Sequence, residues 1–178
     1  IASLGVDNTS NVLTLTTHLI ERHARRRIAF ITGLNHESTR RFNGDREALR
    51  RGQLEFDEHL VVEGDYTPPS GSRAVATLFD RGAGCDAIVA ANDWMALGAL
   101  EALEAGGLRV PEDVSVIGFD DAFHARHLWP PLTTMKQPTD TIGEAAASLL
   151  LELLAEPNMG TGERTIETSL VVRASVAA

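Results

Sequence analysis

DAIVAANDWMALGALEALEAGGLRVPEDVSVIGFDD, residues 86–121, is the stretch whose reading decides the fold. Two short apolar runs, AIVA at 87–90 and VSVI at 114–117, flank a longer segment in which Leu97, Leu100 and Leu103 recur at helical spacing. That pattern predicts a strand, a polar turn, a helix, a turn and a second strand, which together make one βαβ unit. Each strand ends abruptly in polar residues, Asn92 and Asp93 after the first and Asp120 and Asp121 after the second. Ligands of open α/β sheets bind beyond the carboxyl ends of the strands, so both polar turns are expected to face one crevice.

The same grammar extends outward. Upstream, residues 27–32 (RIAFIT) and 59–62 (HLVV) read as strands, with polar exits at 33–38 and 63–66. Helices are expected over about 11–24, capped by Ser10 or Asn11 and carrying Leu15, Leu19 and Ile20, then through Arg50, and again from Ser70 with Val75, Leu78 and Phe79. Pro68 and Pro69 are expected to halt regular structure before Ser70. The first eight residues show no strand signal. Downstream, 122–131 (AFHARHLWPP) has no clear period and 132–136 resumes as a strand. A helix capped by Thr139 or Asp140 then carries Ile142, Ala146, Leu149, Leu150 and Leu153, followed by a turn-rich connector at 156–162 and a final strand at 165–173. Strands alternating with helices in this way predict an α/β fold, a parallel sheet sandwiched by helices.

With 178 residues, 43% of them hydrophobic and 23% charged, the chain has the composition of an ordinary globular protein. Its net charge of −9 argues against the chain itself gripping a phosphate backbone. The one basic run, Arg22 to Arg27, reads as a solvated helix end. A single cysteine, Cys85, and the lack of any secretory or membrane-spanning pattern predict a cytoplasmic setting with no membrane contact.

Arg41, Tyr66, Asn92 and Asp120 each fall just after a predicted strand, a repetition that gathers them at one crevice. A guanidinium fork, a carboxylate, an amide and an aromatic face together can hold the hydroxyls and the apolar side of a sugar ring. Each has a plainer alternative. Asn92 and Asp93 suit helix caps, Asp120 suits turn amides, and Arg41, beside Arg40, suits a solvated helical face. Asp120 and Asp121 with His124 and His127 offer a metal-site reading, but no HExxH or cysteine cluster supports it. No P-loop, GxGxxG or GxSxG pattern is present, so no metal, cofactor or catalytic residue is assigned.

These residues also carry a family likeness. The run AANDWMALGALEALEAGGLRVPEDVSVIGFDD, followed by PPLTTMKQP and later SLVVR, resembles the effector-binding region of lac/gal repressor-type transcription regulators. More loosely, HLI near the start, RRIAFITG and VVEGDY extend the likeness over nearly the whole chain. The resemblance implies a periplasmic-binding-protein-like (type I) lobe, truncated at its N-terminus. It divides the chain into a remnant and crossing helix of the first lobe (1–26), the second lobe (27–137), a helix crossing back (138–160) and a final strand of the second lobe (161–178). It assigns ligand contact to Arg41, Tyr66, Asn92 and Asp120, and more weakly to Asn8, Ser10, Asn35, Glu37 and Trp94. It places Leu100, Leu128 and Trp129 at a homodimer contact. Departures from the pattern are His23–Ala24–Arg25 where Gly-His is usual, Asn11 in place of Gly, and Asp45 in place of an apolar or aromatic residue.

The expected function is therefore non-enzymatic: a sugar or polyol effector bound between lobes controls DNA binding through an N-terminal helix-turn-helix that this chain lacks. The rivals are a sensor domain of the same fold with another output, and a metal- or carboxylate-dependent hydrolase.

Overall fold

The computed structural model describes residues 2–156 and 162–176. Its strands are β1 (Ser3–Gly5), β2 (Ile28–Thr32), β3 (Val61–Glu63), β4 (Ala87–Ala90), β5 (Ser115–Asp120), β6 (Thr133–Lys136), β7 (Glu163–Thr165) and β8 (Ser169–Val171). The helices are α1 (Asn8–His23), α2 (His36–Arg51), α3 (Pro68–Asp80), α4 (Asp93–Ala105) and α5 (Thr139–Ala155), with short 3-10 turns at Glu58–Leu60 and Phe123–His127.

Six strands form one sheet in the order β3-β2-β4-β5-β6-β8, parallel except where β8 runs against β6. The central strands are apolar on both faces, and β4 and the first five residues of β5 are fully buried, as a sheet covered on two sides requires. From β2 the chain steps outward to β3, then returns past β2 to β4 and β5. With right-handed crossovers this reversal puts α2 on one face and α3 and α4 on the other. The strand order therefore reverses between β2 and β4, where an open α/β sheet parts its loops and leaves a crevice. Within the helical layers α1 packs on α2, and α3 on α4. The α3–α4 approach is so close that a Cβ on Gly98 would lie 1.8 Å from the Pro68 carbonyl oxygen.

Several expectations are corrected. Residues 3–5 are a strand after all, paired in parallel with β7 in a separate two-stranded sheet, Ser3 opposite Glu163. The single final strand expected over 165–173 is replaced by two strands in two sheets, β7 beside β1 and β8 at the edge of the larger sheet. Pro68 and Pro69 do not stop structure but begin α3, because a first-turn N–H has no helical partner to lose. Asp7, rather than Ser10 or Asn11, caps α1, accepting from the Ser10 amide at 3.0 Å. The apolar side of α1 (Val12, Leu15, Leu19, Ile20) is buried in the core, whereas α5 buries only Leu149 and leaves Leu150, Leu151 and Leu154 exposed. The connector expected over 156–162 lies mostly outside the described residues.

The basic run is solvated at Arg22, Arg26 and Arg27, as expected, and Arg25 is its half-buried member. Arg25 donates to Ser115 Oγ at 3.0 Å and to the Pro111 carbonyl at 2.6 Å, tying the exit of α1 to the start of β5. Burial pushes the Cys85 thiol up to about 11, which suits a structural residue rather than a nucleophile.

Candidate functional site

The exits of β2, β4 and β5 meet at the carboxyl edge of the sheet, and Arg41 is the residue that joins them. Its guanidinium is buried over the Phe119 ring at 3.7 Å. Nε donates to Asn8 Oδ1 at 2.7 Å, Nη1 to the Ala91 carbonyl next to Asn92, and Nη2 lies 3.7 Å from Asp120 Oδ1. Burial lowers the pKa of Arg41, while Asp120, Tyr66 and Glu37 act in the opposite direction. Asp120 is shifted upward by burial, against the pull of Arg41 and a 2.5 Å hydrogen bond from Gln137 Nε2.

Asn92 does two jobs at once. Its Oδ1 caps α4 by accepting from the Met95 amide at 2.9 Å, and its Nδ2 donates to the Tyr66 carbonyl at 3.2 Å. The Tyr66 hydroxyl in turn donates to Asn35 Oδ1, and the ring crosses Gly33 so closely that a Cβ there would meet it at 2.2 Å. Glycine at position 33 is what lets the aromatic lie against the β2 exit. Asn8 Nδ2 donates to Glu37 Oε2, which completes one group of Arg41, Asn8, Glu37 and Asp120; a second group, Asn92, Tyr66 and Asn35, adjoins it where Arg41 donates to the Ala91 carbonyl.

The backbone is strained at three of these places. Tyr66 (φ 68°), Asp120 (φ 115°) and Asp121 (φ 54°) all occupy the positive-φ region that side chains disfavour. Such outliers concentrate where surrounding structure holds a residue for a purpose. At the end of β5 the turn separates the paired carboxylates. Asp120 faces Arg41 and Gln137, and Asp121 accepts from Arg173 at 2.6 Å. Their mutual repulsion is thus relieved by the protein's own cations, and a ligand is not needed to explain it.

Two expected residues stand apart. Ser10 is exposed and bonds to Asp7, its Oγ donating at 2.6 Å. Trp94 stacks on His124 with ring centroids 4.0 Å apart and Phe123 lies 5.0 Å from His127, so both histidines of the metal-site reading are engaged with aromatics while Asp121 is engaged with Arg173. Sequence reasoning missed Gln137 and Phe119, although Gln137 follows β6 at the same strand-end position that singled out the others. It also treated Asp93 as a cap alone. Asp93 is buried, accepts from Thr134 Oγ1 and the Ala122 amide at 2.7 Å each, and so bonds the β4 exit to the β5 exit. Burial, helped by Asp120 and Asp121, pushes its carboxyl up to about 7.

Of the three residues expected at a subunit contact, Trp129 is 88% exposed and does not fold back on its own sheet. Leu128 is half-buried. Leu100 is only 5% exposed and belongs to the core, where it lines a cavity of about 510 Å³ shared with Trp129 and Pro130.

Comparison with known proteins agrees with this architecture. A family described as periplasmic binding protein-like domain matches residues 16–176. The HTH-type transcriptional regulator CelR of Thermobifida fusca is 41% identical over 98% of this chain and 52% of its own length. A solved transcriptional regulator CelR–cellobiose complex superposes with a TM-score of 0.93 at 40% identity, covering 98% of this chain and 54% of that one. A LacI family transcriptional regulator from Enterococcus faecium with bound ribose superposes with a TM-score of 0.88 at 26% identity, covering 99% of this chain and 65% of the other. The chain spans about half the length of the curated relatives it matches.

Proposed function

Because this chain belongs to the periplasmic binding protein-like domain family, in the group formed by the effector regions of LacI-type transcription regulators, we propose that it is a sugar- or polyol-sensing domain. The observation that carries this reading is the Arg41–Asp120 pair. At 3.7 Å the two charges hold each other in register without a close hydrogen bond, which leaves donors and acceptors for hydroxyl groups of a ligand. Asn92 and Gln137 add amide groups at the same edge, and Tyr66 supplies the aromatic face. In this reading the six-stranded sheet is one lobe, and the β1–β7 pair with α5 belongs to the other. A ligand held between lobes favours one arrangement over the other. That difference changes how a cytoplasmic homodimer, joined near Trp129 and Leu128, presents a helix-turn-helix lying outside these residues.

Titration calorimetry against cellobiose, ribose and related polyols, in a protein that contains this chain, tests the reading. For any sugar that binds, Asp120→Asn is expected to cost about 1.5–3 kcal/mol, more than tenfold in affinity. Unchanged affinity would remove Asp120 from the site.

A further inference from the structure

We infer that Asp93 is a positioning residue for ligand binding in the crevice: its carboxylate fixes Asn92 at the exit of β4 and Asp120 at the exit of β5 relative to each other. The inference rests on the sugar-sensing reading above. Asp93 is wholly buried, so its part in binding runs through its neighbours. It follows Asn92 directly, as the first residue of α4. Oδ2 accepts from the Ala122 amide and Oδ1 from Thr134 Oγ1, each at 2.7 Å, and Thr134 Oγ1 in turn accepts from the Asp121 amide at 3.3 Å. One side chain therefore joins the start of α4, the turn that ends β5, and β6. Capping does not account for it, because Asn92 already caps α4.

The turn after β5 needs such a hold. Asp120 and Asp121 sit at φ 115° and φ 54°, and backbone of this kind persists only where its surroundings over-determine it. Gln137 and Arg173 hold the two carboxylates, whereas Asp93 and Thr134 hold the backbone amides of residues 121 and 122. The backbone hold bears on binding because φ and ψ at Asp120 set the direction in which its carboxylate faces Arg41. The sheet also leaves room for the clamp. A Cβ on Gly118 would lie 2.2 Å from Asp93 Oδ1, so a glycine in β5 admits the carboxylate. Hydrogen bonding, rather than charge, is what the geometry uses. Asparagine can reproduce both contacts, its carbonyl accepting from Ala122 and its amide donating to Thr134 Oγ1, while alanine reproduces neither.

The test titrates cellobiose into a protein that contains this chain, and compares Asp93→Ala, Asp93→Asn and Thr134→Val. Asp93→Ala and Thr134→Val are each expected to weaken binding by about tenfold, and Asp93→Asn to recover most of what alanine loses. Thr134→Val removes one hydroxyl and keeps the branched shape, so the test does not hang on the alanine variant folding. In the ligand-free 178-residue chain, the Cα and Cβ chemical shifts of Asp120 and Asp121 should move towards extended values in Asp93→Ala and Thr134→Val, while those of Phe30 and Val62 stay where they are. Parent affinity in both of these variants, an asparagine variant as weak as the alanine one, or unmoved shifts at Asp120 and Asp121 each overturn the inference. A parent that binds no sugar overturns the sugar-sensing reading instead, and the shifts still decide whether Asp93 sets Asp120.

Discussion

Asp45 and Asp120 are both acids in partly or wholly buried settings, yet they differ in what surrounds them. Asp120 has Arg41 and Gln137, while among the described residues Asp45 has Thr16 alone. The consequence is a pH dependence that Asp45 shares with the buried Asp93 and that a substitution at Asp45 isolates. Its folded-state carboxyl titrates near 7 against an ordinary value of 3.8, so the folded chain binds this proton more tightly than the unfolded one. Its contribution is therefore fully present below about pH 4 and is lost as the pH rises towards 7, on the order of 4 kcal/mol in all. Asp45→Asn, which cannot ionise, is expected to be clearly more stable than the parent at pH 8 and to lose most of that advantage by pH 4. Parallel denaturant melts at the two pH values check this; a difference that does not change with pH would mean that Asp45 is not buried as a lone acid.

At the scale of elements, the exit of α1 shows a local rule broken. Ala24 closes that helix with φ 53° and ψ 27°, the left-handed conformation usually left to glycine. Its amide reaches back to the Leu19 carbonyl, and Arg25 then locks the following turn to Ser115 and Pro111. Tertiary contacts hold the alanine where its own preference does not. Ala24→Gly should raise stability by about 1 kcal/mol, because the steric cost of a Cβ in that region disappears. A denaturant midpoint that rises with an unchanged slope is the expected signature. A fall would show that the glycine's added freedom in the unfolded chain outweighs the relieved strain. The α3 start obeys its rule instead, since two prolines occupy positions where no helical hydrogen bond is lost.

For the molecule as a whole, exposed large apolar side chains are scattered, Leu34, Phe79, Trp94 and Val172 among them, and recur in two stretches that bear on the proposed function. One is α5, with Leu150, Leu151 and Leu154 each more than half exposed; the other is the segment from Phe123 to Trp129. The first follows from the proposed division into lobes, in which α5 packs on chain outside these residues. The second fits the proposed subunit contact. Trp129→Glu places a charge at an 88% exposed position, so the fold should tolerate it. Sedimentation is expected to show a shift towards monomer, and a variant that keeps the parent's mass would take Trp129 out of the contact.

Periodicity and strand-end chemistry were enough to read the α/β class and the parallel core strands and to single out Tyr66, Asn92 and Asp120 at strand ends, because Leu97–Leu103 spacing and abrupt polar exits are local signals; Arg41 needed the family resemblance. The same reasoning could not see β1, a three-residue strand whose only reason to exist is its partner β7, some 160 residues away. Nor could it see that Thr165 and Ser169 enter different sheets. Arg41 illustrates the boundary most sharply. Its sequence neighbourhood, ESTRRFNG, suits a solvated helix face, and Arg40 beside it is only part-buried with an ion pair to Glu163 at 3.7 Å. Only the packing of α1 against α2 turns Arg41 inward, where Asn8, Ala91, Phe119 and Asp120 converge on one guanidinium. Local sequence determined which residue types reach the strand ends. Burial against distant elements decided which charges are paired there, since desolvation and partner geometry are properties of the assembled fold alone.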